Sequence, residues 1–163
     1  MGSRSKIIKE IEKAYIAGFL DGDGGLMLQI KKRKDGNIGI RFMPVICFYQ
    51  DTRHAKTLNW IKKVLGIGYI SNRNDGMTEL RINGYKQIRD ILINLIPYVR
   101  FKKLQASALL KACEMLSEIK FKKFSKLQLT KIVNLILVIQ SQNYITKKKK
   151  TKTEFYKILG LTP

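Results

Sequence analysis

One helix near the N-terminus constrains the fold more than any other feature of this chain. Apolar residues recur at helical spacing from Ile7 to Leu20. Small residues occupy every fourth position in the same stretch, at Ala14, Gly18 and Gly22. One face of the helix is therefore nearly bare backbone, which lets a second helix approach unusually closely. We expect a close helix–helix contact along this face.

Two carboxylates, Asp21 and Asp23, stand at the C-terminal end of this helix. The helix dipole is negative there and disfavours each anion by roughly 0.3–1 kcal/mol. The chain has only 12 acidic residues against 32 basic ones, so two carboxylates at this end call for a compensating positive charge. A bound divalent cation would supply this charge for both carboxylates. The plainer alternative is a helix-to-strand turn, because Asp-Gly-Asp-Gly is also good turn chemistry.

Residues 16–24 read Ile-Ala-Gly-Phe-Leu-Asp-Gly-Asp-Gly. Together with the bare-faced helix, this stretch resembles the signature of the LAGLIDADG homing endonucleases, an aligned helix pair that ends in an acidic residue. Ile16 stands for the first Leu, Phe19 and Leu20 for the next apolar pair, and Gly22 for the second Ala. The resemblance covers roughly residues 7–116. It implies an α+β fold with the order αββαββα, in which a four-stranded DNA-binding sheet carries helices on one face.

Composition limits the class of protein. At 163 residues with 45% hydrophobic content, the chain suits one globular domain. We expect a single domain over 1–163, with a core at about 7–116 and a C-terminal helical extension over 117–163. The net charge of +20 indicates a polyanionic partner, nucleic acid rather than membrane.

Other sequence signals favour an intracellular protein. No stretch approaches the ~18 apolar residues of a membrane-spanning helix, and the N-terminus lacks the apolar region of a signal peptide. Cys47 and Cys113 are solitary, which is typical of reduced thiols. His54 is the only histidine, so a site with several histidines is excluded.

The hydrophobic pattern predicts helices and hairpins in alternation, an α+β order. Pro44 inside the second predicted strand argues for an edge position or a bulge. The predicted elements are a helix capped by Ser5 that runs to about Leu20, strands Leu26–Arg33 and Ile38–Tyr49 around a turn at 35–37, helix Thr52–Leu65, strands Tyr69–Arg73 and Glu79–Asn83, and helices Gly84–Leu95, Leu104–Leu116 and Ser125–Ile139.

Long polar side chains recur at strand spacing on the face that such a sheet leaves uncovered. Arg and Lys can reach guanine acceptors in a DNA major groove, and Gln can pair with adenine. An ordinary solvated sheet face would alternate in the same way, but the net charge favours contact with nucleic acid. The Lys147–Lys150 run is open to two interpretations, a solvated stretch or a phosphate contact. The candidate DNA-binding residues are Gln29, Lys31, Arg33, Arg41, Arg73, Glu79 and Arg81.

The resemblance also implies a set of catalytic residues. Asp23 takes the place of the family's catalytic acid and metal ligand, and the Gly22 carbonyl is a plausible second ligand. Gln50, just after the second predicted strand, would orient water, and Lys102 would stabilise charge near the scissile phosphate. We expect Asp21 to bond locally at the helix end. Hard oxygen ligands fit Mg²⁺, with Mn²⁺ as a substitute.

The chain departs from the family pattern at one point. Single-motif members often place a basic residue one turn beyond the Gln, where this chain has His54 with Arg53 adjacent. Which of the two joins a water network stays open.

One motif per chain implies a homodimer, because the family's helix-pair core needs two motifs. A dimer formed through Ala14, Gly18 and Gly22 would carry two active sites and recognise a long, approximately palindromic DNA. The resemblance thus implies a group I intron-encoded, double-strand DNA endonuclease. Two alternatives are an RNA-binding intron splicing maturase of the same fold and a non-cleaving, sequence-specific DNA-binding protein.

Overall fold

The computed structural model describes residues 7–33, 39–119, 124–144 and 147–162. Helices and strands alternate in the predicted order, so the α+β class and the αββαββα core are confirmed. The elements are α1 Glu10–Asp23, β1 Gly24–Lys32, β2 Ile40–Asp51, α2 Lys56–Leu65, β3 Tyr69–Asn72, β4 Met77–Asn83, α3 Tyr85–Leu95, α4 Lys103–Glu118, α5 Lys126–Gln142 and α6 Lys152–Leu159.

The strands form one antiparallel sheet in the order β1-β2-β4-β3. Alternate residues point to opposite faces of a sheet, and one set is buried under the helices while the other faces away from them. The residues on the helix-covered face include Leu26, Leu28, Phe42, Ile46, Phe48, Leu80 and Ile82. We call the opposite side of the sheet the uncovered face.

Pro44 lies within an interior strand, at a place where that strand has one paired neighbour. β2 pairs with β1 along its length, including Pro44 with Leu28. Its pairing with β4 covers only Val45–Asp51. The missing N–H of Pro44 therefore removes no hydrogen bond to β4, which explains how a proline is accommodated without placing the whole strand at the sheet edge.

The first helix differs from the prediction at both ends. It begins at Glu10, where the backbone N–H of Lys9 donates to Glu12 Oε2 at 3.0 Å. The predicted cap Ser5 lies outside the described residues. At the other end the helix continues past Leu20 to Asp23, so both carboxylates belong to its last turn.

The predicted helix over 52–65 is divided into two parts. Thr52–His54 forms a short 3₁₀ turn, and α2 starts only at Lys56. The turn is fixed by Asp51, whose carboxylate accepts the Arg53 backbone N–H at 2.9 Å. The turn predicted at 35–37 lies outside the described residues.

The C-terminal helices pack onto the same core. The predicted cap of α5 is confirmed, because Ser125 Oγ accepts the Gln128 N–H at 3.1 Å and Gln128 Oε1 accepts the Ser125 N–H at 2.9 Å. The short helix α6 was not predicted from the sequence. At the end of α5, Asn143 Nδ2 donates to the Leu26 carbonyl of β1 at 3.1 Å. The helical extension is thereby attached to the outer strand of the sheet.

Candidate active site and nucleic-acid interface

The two carboxylates at the end of α1 lie in different environments. Asp21 is buried, and its oxygens accept the backbone N–H groups of Arg100 at 2.6 Å and of Lys102 at 3.1 Å. These partners are about 80 residues away in sequence, so the expectation of a local bond at the helix end is wrong. Asp23, two residues further, is exposed. Only Asp23 is available to a cation or a substrate from solvent.

Lys102 is a basic residue that packs against the end of α1. Its side chain is only 7% exposed, and Nζ donates to the carbonyl oxygens of Leu20 at 3.0 Å and of Asp21 at 2.6 Å. Burial lowers the pKa of Lys102, while the charges of Asp21 and Asp23 act in the opposite direction. A cation that caps these carbonyls is favourable, because it complements the negative end of the helix dipole.

Asp21 and Lys102 therefore hold two segments together by contacts in both directions. The Asp21 carboxylate binds the backbone before α4, and the Lys102 ammonium binds the backbone of α1. This arrangement places Lys102 at the same helix end as Asp23.

The remaining candidate catalytic residues lie around the end of β2. Gln50 is within the strand rather than after it, and its Oε1 accepts the Asp51 N–H at 2.9 Å. The Arg53 guanidinium makes two hydrogen bonds to the Asp51 carboxylate, at 2.9 and 2.8 Å, and these hold the pKa of Asp51 well below its usual range. His54 is exposed. Arg53 is thus engaged by its neighbour, and among the described residues no hydrogen bond joins Gln50, Arg53 or His54 to Asp23.

The donor chemistry at the end of α1 suits a hard divalent cation. Gly22 and Asp23 are both exposed and offer carbonyl and carboxylate oxygens, the ligand types that Mg²⁺ prefers. Within the described ranges, no group of three or more His, Cys, Asp or Glu residues is placed to hold a metal.

The seven candidate DNA-binding residues share the uncovered face. Five of them lie in strands, where Lys31 pairs with Arg41. Arg33 directly follows β1, and Arg73 directly follows β3. Their backbone N–H groups donate to the carbonyls of Gly39 and Met77, which extends the strand pairing by one hydrogen bond in each case. The five within strands are Gln29, Lys31, Arg41, Glu79 and Arg81.

Two of these charged residues neutralise each other. Arg81 Nη1 lies 3.4 Å from Glu79 Oε1 and 4.0 Å from Cys47 Sγ. Burial raises the pKa of the Cys47 thiol to about 11, so this cysteine is a neutral, inert neighbour. Arg81 is therefore paired with Glu79 and partly buried, whereas Lys31 and Arg41 are exposed.

The candidate DNA-binding residues do not include the apolar residues of the same face. The signal was present in the strand alternation, which puts Met43, Val45 and Cys47 beside Arg41, and Met27 beside Gln29. Met27, Met43, Val45 and Tyr49 are central in the register of the uncovered face.

The bare face of α1 is open to solvent in the single chain. Ala14, Gly18 and Gly22 are exposed, and a Cβ added at Gly18 or Gly22 would meet no atom within 4 Å. Large apolar side chains continue this face, with Ile11 77% and Tyr15 52% exposed. An unpartnered apolar helix face of this kind marks an interaction surface.

An exposed carboxylate at a helix end, beside a strongly basic and uncovered sheet, defines a protein that acts on nucleic acid. The family model described as LAGLIDADG endonuclease matches residues 16–116, and the chain belongs to that family. The expectation of a LAGLIDADG homing endonuclease is therefore confirmed.

Individual relatives agree with this assignment. The DNA endonuclease I-CvuI of Chlorella vulgaris is 32% identical over 111 residues, covering 68% of this chain and 69% of the relative. The DNA endonuclease I-CreI of Chlamydomonas reinhardtii is 28% identical over 106 residues, covering 65% of this chain and 64% of the relative.

Solved structures extend the similarity over nearly the whole chain. The crystal structure of I-CvuI with the I-CreI target and 2 mM Mg matches with a TM-score of 0.72 and 28% identity, covering 94% of this chain and 98% of that one. The archaeal intron-encoded endonuclease I-Vdi141I, complexed with DNA, has the same fold, with a TM-score of 0.77, 20% identity and coverage of 93% and 96%. I-CvuI was also solved with 2 mM Ca, and dependence on a divalent metal is typical of the family. None of the helices in the described part of this chain is long and apolar enough to span a membrane.

Proposed function

We propose that this chain is a site-specific homing endonuclease that cuts both strands of a long, pseudo-palindromic DNA target as a homodimer. One observation carries the proposal. The exposed Asp23 stands at the end of a helix whose exposed face is bare along Ala14, Gly18 and Gly22. A close contact between two copies of this helix brings together two copies of the same catalytic group.

The proposed dimer explains the surface of α1. Ile11 and Tyr15 are exposed apolar residues, and burial of apolar area is the main driving force of association. Two Asp23 carboxylates near the two-fold axis repel each other unless a cation lies between them. Dimer formation and metal binding are therefore coupled in this proposal.

We propose Mg²⁺ as the metal, with Mn²⁺ as a substitute, held by the Asp23 carboxylate and the Gly22 carbonyl. A bound cation of this kind activates water and stabilises the leaving oxygen in phosphodiester hydrolysis. Among the chain's own residues, Gln50 orients active-site water and Lys102 stabilises charge near the scissile phosphate. Arg53 or His54 extends the water network. Support for Lys102 comes from its position at the end of α1.

We further propose that the uncovered face reads the DNA major groove. The support is a net charge of +20 together with basic side chains that follow the strands of a twisted sheet. Lys31 and Arg41 form a cross-strand pair of exposed cations, which suits guanine or phosphate acceptors. Arg81, which is paired with Glu79 on the same strand, is a further candidate for contact with a base edge.

The buried core runs from Ile16 in α1 to Phe155 in α6. This continuity supports a single domain over 1–163 with the core at 7–116 and the extension at 117–163. We also propose that the protein is intracellular and is encoded in a group I intron.

The test begins with selection of cleaved sites from a randomised double-stranded DNA library in the presence of Mg²⁺. The wild type should yield a pseudo-palindromic target, and Asp23→Asn should still bind that target but fail to cut it. Affinity survives because it comes mainly from contacts to phosphates. Asp90→Asn, an exposed carboxylate on α3 paired with Arg89, is the matched control and should cut normally.

Three outcomes contradict the proposal. Cleavage retained by Asp23→Asn removes the site assignment, and loss of binding in the folded variant does the same. An intron RNA that displaces DNA at matched salt favours the maturase alternative.

A further inference from the structure

An apolar patch lies in the middle of the uncovered face. Met27 of β1 pairs with Val45 of β2. Two residues further along β1, Gln29 pairs with Met43. Val45 is fully buried by its neighbours, and both methionines are partly buried. We call Met27 and Met43 the methionine patch; Val45 lies beneath them and is not accessible to a bound molecule. The patch separates the exposed cations Lys31 and Arg41 from the end of α1.

Two side-chain amides border the methionine patch. Asn83 pairs with Val45, and Gln29 Nε2 lies 3.8 Å from Met27 Sδ. Gln29 Oε1 and Asn83 Oδ1 are buried and have no hydrogen-bond partner among the described residues. Buried polar atoms of this kind are rare, and each calls for an explanation. A bound molecule that donates hydrogen bonds to these oxygens, after the amides turn toward it, would provide that explanation.

The chemistry of the patch matches one type of base pair. In the major groove, thymine presents the C5-methyl group, which makes apolar contacts, and adenine presents N6 and N7 to amide side chains. Methionine is unbranched and adaptable, so it fits closely around a small apolar group. Guanine and cytosine offer no methyl group on this edge.

We propose that the methionine patch, together with Gln29 and Asn83, reads A·T base pairs in each half of the target by seating thymine methyl groups. The inference rests on the proposed function, because it takes the uncovered face as the surface that enters the major groove. It goes further by specifying which base pairs this part of the face selects.

The strand geometry also locates these base pairs within the target. Met27 is four residues beyond Asp23, which is roughly 13 Å along a strand. Base pairs are stacked about 3.4 Å apart. With β1 running along the groove and the cleaved bond at Asp23, as the proposed function has it, the patch lies about four base pairs from that bond. Lys31 lies about four residues further out along β1. We therefore expect A·T pairs at the inner positions of each half-site, and a different preference under Lys31 and Arg41.

The experiment replaces single thymidines of the selected target with 2′-deoxyuridine, which lacks only the methyl group. Binding by the wild-type chain should weaken by about fourfold for each methyl that the patch contacts, the effect expected of one buried carbon. Substitutions elsewhere in the target should have no effect. This measurement needs no protein variant, so it does not depend on any mutant folding.

Protein variants then connect the effect to the patch. Met27→Ala and Met43→Ala should bind thymidine and deoxyuridine targets equally at the positions where the wild type distinguishes them. Met77→Ala is the matched control, because Met77 lies on the same face at the far end of β4, opposite Asp51. It should retain the full methyl dependence.

The possible outcomes distinguish failure of this inference from failure of the proposed function on which it rests. Equal binding of thymidine and deoxyuridine targets by the wild type, or a selected target with G·C pairs at the inner positions, overturns the inference alone. Failure to select any DNA refutes the proposed function and the inference with it.

Discussion

Replacement of Gly18 by leucine tests the dimer on which the proposed mechanism depends. In the single chain, a Cβ at this position meets no atom within 4 Å, and Gly18 is exposed, so we expect a leucine side chain to extend into solvent. Leucine is also a better helix former than glycine, by roughly 0.8 kcal/mol. We therefore expect Gly18→Leu to fold, with an isolated subunit slightly more stable than that of the wild type.

The dimer should respond in the opposite direction. Overpacking of a close contact costs roughly 1–3 kcal/mol per site, and a two-fold interface contains the substitution twice. The total of roughly 2–6 kcal/mol weakens the dimer by about 30-fold to about 20,000-fold in its dissociation constant. Double-strand cleavage should fall with the population of dimer.

Sedimentation equilibrium over a wide concentration range measures the dissociation constant, and circular dichroism verifies the helix content of the same samples. Gly18→Ala should weaken the dimer less than Gly18→Leu does. Lys111→Leu adds an exposed leucine on α4, away from the bare face, and should dimerise as the wild type does. A Gly18→Leu dimer of wild-type affinity would refute the reasoning, because the bare face would then not be the interface.

Other predictions concern the helix end, the metal and the sheet. Asp21→Asn should lower the free energy of unfolding by about 1–3 kcal/mol, because a buried backbone N–H of the 100–102 segment loses its acceptor; urea denaturation measures this, and the exposed Asp90→Asn should have almost no effect. Chelation with EDTA should stop cleavage while electrophoretic mobility shifts still detect the complex, and added Mn²⁺ should restore cutting. Arg81→Ala should relax selectivity at one base pair by about 1–3 kcal/mol, whereas a uniform loss over all sequences would mark a phosphate contact. In a plot of the logarithm of affinity against the logarithm of salt concentration, the slope should be about −0.9 for each phosphate that the protein neutralises. A flat salt dependence would contradict binding through the basic face.

The fold was predictable because its signals are periodic. In β2, Phe42, Ile46 and Phe48 alternate with polar or smaller residues, and a shift by one residue would turn the whole apolar set to the wrong face. The same alternation placed Arg41 on the uncovered face. The Ser125 cap was predictable from its own short-range pattern.

The details of the candidate site depend on contacts between distant segments, which periodicity does not contain. Asp21 looked like a local turn residue, yet its partners are the backbone groups of Arg100 and Lys102. Lys102 looked like one surface lysine among many, yet it is buried against α1. The catalytic roles of Asp23, Gln50 and Lys102 stay predictions that the experiments above test.

The hydrogen bond from Asn143 to the Leu26 carbonyl has a consequence for aggregation through the edge of the sheet. β1 is an outer strand, and a free row of backbone groups on such a strand is a template for pairing with another chain. Because α5 packs beside β1 and Asn143 occupies one of its carbonyls, the C-terminal extension covers part of this row. We therefore expect a truncated chain that ends before α5 to associate strand to strand more readily than the full chain does.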